Sequence, residues 1–211
     1  RLRSKVLAKI LLEAGADSSY AGPEGELPLG HLALKIKDSA MVELFMDFGM
    51  NPSITDLEAT SLTHLALSPK LSPPAPLLGR ILLEGDLNLP DSKGNTPLHL
   101  LMEQKLLPYY REFILNKELD FYKKNTQGKT PAMYVDKKNK ASYETFVALN
   151  YQQISQLKEK APVCTSASAS CRKRILARIK RNKSTLPSKK DAKEVVKELT
   201  MATSKPVAFG Q

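Results

Sequence analysis

Two short motifs alternate along the first 150 residues, and a chain with that period has few ways to fold. Leu27-Pro28-Leu29-Gly30-His31-Leu32-Ala33-Leu34 lines up with Thr60-Ser61-Leu62-Thr63-His64-Leu65-Ala66-Leu67, a shift of 33 residues. Thr96-Pro97-Leu98-His99-Leu100-Leu101-Met102 begins 36 residues after Thr60, with one residue fewer before its His, and Thr130-Pro131-Ala132-Met133-Tyr134 follows 34 later. Between these runs a second motif, seen as Leu11-Leu12-Glu13-Ala14-Gly15-Ala16-Asp17 and Leu44-Phe45-Met46-Asp47-Phe48-Gly49-Met50-Asn51. It returns as Leu82-Leu83-Glu84-Gly85-Asp86-Leu87-Asn88 and Phe113-Ile114-Leu115-Asn116-Lys117-Glu118-Leu119-Asp120.

Each piece has a physical role. Thr96 and Thr130 suit the cap of a short first helix, and Pro97 and Pro131 sit at its first turn, where a missing N–H breaks no bond. The Leu and Ala positions, Leu65 and Leu100 among them, are expected to pack that helix on its neighbours. A second helix carries the Leu-Leu and Phe-Met pairs and ends at a Gly able to take a left-handed cap conformation. An apolar residue and an Asp or Asn then lead into a hairpin loop.

This alternation resembles the ankyrin repeat family over about residues 4–150. The resemblance implies an all-α solenoid: a curved stack of helix pairs with hairpin loops projecting to one side. About four units are expected within 1–157. Residues 4–14 read as the second helix of a unit whose first helix would lie upstream, so the sequence is expected to start inside a longer protein. The family pattern also implies that His31, His64 and His99, all at one repeat position, hydrogen-bond loop backbone between units. Three departures stand out. A Pro-rich insert, 68–76, replaces the usual tight turn; Lys117 stands at an expected cap Gly; Met133-Tyr134 replace Leu-His.

The net charge of +10 is unevenly placed. Residues 1–157 hold 18 Lys+Arg against 18 Asp+Glu, whereas 158–211 hold 14 against 4. A neutral body is therefore followed by a linker over 158–170, rich in Ser and Ala, and a basic tail over 171–211. Within the tail, Arg172, Lys173, Arg174, Arg178, Lys180 and Arg181 surround an apolar stripe of Ile175, Leu176 and Ile179. Three readings stand side by side. The segment could be a nuclear-import or nucleic-acid patch, an amphipathic helix for an acidic protein or anionic surface, or a solvated extension. The tail's one aromatic is Phe209, so base stacking has no platform.

Catalytic and metal chemistry find little support. The three histidines are committed to one repeat position, leaving none as a free base or ligand, and no Gly-rich phosphate loop or nucleophile elbow occurs. The two cysteines, Cys164 and Cys171, are too few for a disulfide framework or a four-ligand zinc site, so a reducing compartment is the default. No run reaches the roughly 18 apolar residues of a membrane span. In the insert, Ser68-Pro69 and Ser72-Pro73 have the form of proline-directed kinase sites, against the plainer alternative of an exposed loop.

The expectation is a non-catalytic protein-interaction module without a cofactor, cytoplasmic or nuclear, with its tail anchored to an acidic partner. Two rivals remain: a structural subunit of a cytoskeletal, ciliary or ribonucleoprotein assembly, and a nuclear regulator of a transcription factor. Partner contacts are expected at the hairpin tips. These are Tyr20, Glu24 and Glu26 on the first, Asp56 and Glu58 on the second, Asp91 and Lys93 on the third, and Tyr122, Lys123 and Lys124 on the fourth.

Overall fold

The short helices predicted from the motifs start where a cap can hold them. In the computed structural model, which describes residues 2–21, 27–135 and 139–163, Ser61 caps a helix at Leu62–Ala66 and Thr96 caps one at Pro97–Glu103. Both form reciprocal boxes in which the cap hydroxyl accepts from the backbone N–H of the His three residues on, and that imidazole accepts from the cap's own N–H. Pro28, at the matching position before Leu29–Lys35, has no hydroxyl, and that helix starts without a side-chain cap.

The described residues form eight α-helices and no strand. Two compact units divide between Tyr134 and Val135, earlier than the boundary expected at 157. The first contains α1 (Leu2–Glu13), α2 (Leu29–Lys35), α3 (Ser39–Asp47), α4 (Leu62–Ala66), α5 (Ala75–Glu84), α6 (Pro97–Glu103), α7 (Arg111–Ile114) and a 3-10 turn at Pro131–Tyr134. The second contains α8 (Lys140–Val163), a 24-residue helix that runs through the first residues of the expected linker. Phe146, Val147, Leu149 and Ile154 of α8 are buried.

Packing in the first unit is between sequential neighbours. Helix α2 lies against α3 and α4, α4 against α5 and α6, α5 against α7, and α6 against the 3-10 turn. Leu62, Leu67, Leu77, Ile81, Leu82, Leu98, Leu101 and Ile114 are fully buried along this series. Leu65 and Leu100, expected in the core, are only half-buried. A helix of five or seven residues turns too few times for its apolar period to fix which Leu faces inward.

The expected left-handed Gly caps occur at Gly15 (φ 93°) and Gly49 (φ 80°), but not at Gly85, whose backbone is extended (φ −77°, ψ 156°). Gly85 serves closeness instead: a Cβ there would stand 2.2 Å from Thr63 Oγ1. Lys117 reaches back to the same residue, its Nζ donating to Gly85 O at 2.6 Å. Burial lowers the pKa of that ammonium, with Asp86 and Glu84 opposing the shift.

Candidate functional site

The hairpin tips are shaped by one side chain each. Asp56 Oδ1 accepts from the N–H groups of Glu58 (3.0 Å) and Thr60 (2.9 Å), and Asp91 Oδ1 from those of Lys93 (2.9 Å) and Asn95 (2.7 Å). Asn125 Oδ1 does the same for Gln127 (3.0 Å) and Lys129 (2.9 Å). One carboxylate oxygen of Asp56 and one of Asp91 therefore build the tips. The fourth tip is 125–129, later than the expected Tyr122, Lys123 and Lys124. Tyr122 and Lys123 are half-buried, and Lys123 Nζ donates to Asn88 O at 2.8 Å. The missed signal was an Asp or Asn five residues before each cap position, Ser61, Thr96 and Thr130. It is an Asx-turn signature in which either residue accepts equally well.

Consecutive tips are stitched through their backbones. Ser92 N–H donates to Glu58 O (3.1 Å), and Thr126 donates to Lys93 O through both N–H (3.0 Å) and Oγ1 (2.8 Å). A second ladder runs at the loop bases. Asn51 N–H donates to Ser19 Oγ (3.1 Å), Asp86 N–H to Ser53 Oγ (2.8 Å), and Asp120 N–H to Asn88 Oδ1 (2.8 Å). With the main chain consumed in this way, the tips present side chains: Leu57, 82% exposed, with Glu58, Ser92, Lys93, Thr126 and Gln127 beside it in sequence or one tip along. Tyr20 is 51% exposed and Lys124 is exposed. Glu24 and Glu26 lie outside the described residues, as do Arg172, Lys173, Arg174, Arg178, Lys180 and Arg181 of the tail.

Position 59 of the second tip is left-handed (φ 56°), matching Gly94 and Gly128 (both φ 73°), yet it is Ala. A left-handed L-residue costs roughly 1–2 kcal/mol, partly offset by the greater unfolded-state freedom of Gly. Ala59→Gly is therefore expected to raise stability by about 0.5–1 kcal/mol in a denaturant titration. Gly94→Ala should go the other way by more, because its Cβ would lie 3.1 Å from Asn125 Cα and Thr126 N.

The histidines tie the tips to the helices. His31 Nε2 lies 2.8 Å from Thr60 O, His64 Nε2 3.0 Å from Asn95 O, and His99 Nε2 3.2 Å from Lys129 O. A carbonyl only accepts, so Nε2 carries the proton and Nδ1 is an acceptor. That lone pair meets Ser61 N–H (3.2 Å) in His64 and Thr96 N–H (3.0 Å) in His99. Burial lowers the pKa of all three imidazoles, with the backbone carbonyl bonds opposing it. The series ends at Tyr134, whose ring meets that of His99 edge-on at 6.3 Å and has no imidazole to continue the bond. Thr130 and Pro131 are buried in this last turn.

Ser61 Oγ–His64 Nδ1 and Thr96 Oγ1–His99 Nδ1, each 2.8 Å, have the spacing of a nucleophile and its base. Chemistry would need a hydroxyl that a substrate can reach, and Ser61 and Thr96 are 0% and 1% exposed. His64→Ala is expected to cost about 1–3 kcal/mol, the range for orphaning buried partners, in a denaturation experiment insensitive to chelator. Among the described residues no cluster of His, Cys, Asp and Glu could hold a metal ion, and no helix is long and apolar enough to cross a membrane.

Compared with known proteins, the chain matches no family model and no curated protein. Its resemblance to a repeat family therefore stands on its own residues.

Proposed function

We propose that this chain is a divergent ankyrin-repeat solenoid that binds another protein through its hairpin-tip side chains and catalyses no reaction. The observation carrying this reading is the division of labour at the tips. Asp56, Asp91 and Asn125 each spend one side-chain oxygen on holding the loops, and the three imidazoles spend Nε2. The intervening side chains, led by Leu57, point out of that framework exposed. A surface whose side chains vary without disturbing the core is suited to reading a partner. In the same proposal the basic tail adds a salt-sensitive anchor to an acidic partner.

The test uses the full chain and a variant carrying Leu57→Ser, Glu58→Lys and Lys93→Glu, all at exposed positions. Both should unfold at the same temperature, while proteins retained by the wild type in affinity purification are lost from the variant. Retention of the same partners by an equally stable variant would reject the tips as the binding surface.

A further inference from the structure

The two Ser-Pro pairs of the Pro-rich insert are not equivalent once folded. Ser68 is half-buried and its backbone is held on both sides. Its N–H donates to Leu65 O (3.0 Å), and its carbonyl accepts from Leu71 N–H (3.1 Å). Ser72 is exposed, its N–H reaches Ser68 O only at 3.4 Å, and its hydroxyl donates to Pro69 O (3.0 Å). It also has φ 37°, in the left-handed region, directly before Pro73, where the proline ring favours extended backbone. Pro73 and Pro74 bring no N–H with which to fasten the segment, and Lys70, Pro74, Ala75 and Pro76 are exposed around it. The turn is thus closed by the Leu71 bond and by two bonds at Ser72, whose local preference is to extend. Ser72 and Pro73 also line a cavity of about 210 Å³ with Leu67, Leu78, Gln104 and Tyr110.

We propose that Ser72 is a phosphorylation site for a proline-directed protein kinase, and that the phosphate opens the turn over this cavity. A kinase takes its substrate extended, with the hydroxyl in line with the γ-phosphate of ATP. A pocket adapted to proline at the next position suits Pro73, which has no amide proton to leave unpaired. Ser72 Oγ forms a bond to the γ-phosphorus as the bond to the ADP oxygen breaks, and the hydroxyl proton passes to the kinase's carboxylate base. The product has lost the donor that closed the turn on Pro69 O and carries close to two negative charges against that carbonyl. Lys70 is the one cation within 68–76, and in the first turn of α5 Pro76 has no N–H, leaving those of Ala75 and Leu77.

The full chain, Ser72→Ala and Ser68→Ala are incubated with a proline-directed kinase and ATP, and the phosphate is mapped by mass spectrometry. A synthetic peptide spanning 64–80 serves as the substrate control. Expected are incorporation at Ser72 in the wild type and in Ser68→Ala, its loss in Ser72→Ala, and faster amide exchange over 68–74 in the phosphorylated protein. Phosphate at Ser68 instead, or a folded chain left unmodified while the peptide is modified, would overturn the site. Unchanged or slower exchange in the Ser72-phosphorylated chain would overturn the opening.

Discussion

Leu101→Ala is expected to lower unfolding free energy by about 2–5 kcal/mol, the range for truncating a fully enclosed Leu, with part of the cost coming from the cavity left behind. Leu101 is 0% exposed on α6, whose neighbours are α4 and the 3-10 turn, so the void would open where successive levels meet. Leu100→Ala, one residue away and half-buried, should cost clearly less, near 1 kcal/mol from its smaller buried area. Denaturant titration of the pair reads this contrast directly. Equal costs would mean that α6 is turned by about one residue from the orientation described. Because contacts run between sequential neighbours, amide exchange in Leu101→Ala should rise most around α4, α6 and the 3-10 turn.

Acid is expected to weaken the fold well before its carboxylates titrate. The three imidazoles have pKa values lowered from the ordinary 6.5, chiefly by burial. Above 6.5 the folded and unfolded chains hold the same protons on these groups, and stability from them is level. As pH falls below 6.5 the unfolded chain binds protons that the folded one refuses, so stability declines until the folded-state values are reached. The slope is at most about 1.4 kcal/mol per pH unit for each His. Unfolding between pH 6.5 and 5 should thus take up protons, at most about one per His, and His64→Ala should reduce that uptake. Midpoint temperatures measured across that window test the sign. A protein that grows more stable as pH falls through 6.5 would contradict the neutral, Nε2-protonated histidines.

The helix start at Pro97 was legible because Thr96-Pro97 combines a cap with a first-turn Pro, whereas the cap at Ser61, one residue after the aligned Thr60, was not. The shared position of the histidines pointed to a structural role, and the family resemblance implied bonds to loop backbone like those at Thr60, Asn95 and Lys129. The fourth tip was misplaced because Asp56, Asp91 and Asn125 share a function rather than an identity. Gly85 was misread because a glycine looks the same in sequence whether it frees φ or makes room, and here it makes room for Thr63. The unit boundary at Tyr134 could not be read from charge, since the neutral body continues past it to residue 157. Which serine of the Pro-rich insert is accessible depends on backbone hydrogen bonds, and both have the same neighbour in sequence.

In the proposed function the histidines are neutral bridges that fasten the second, third and fourth tips to α2, α4 and α6, leaving the tip side chains free to bind. Side-chain nitrogen–proton correlation NMR of the full chain at neutral pH tests it most directly. The account predicts three imidazoles in the Nε2–H form, with their Nε2 protons protected from solvent exchange and their titration displaced below 6.5. Three rings averaging between tautomers and titrating at the ordinary value would contradict it.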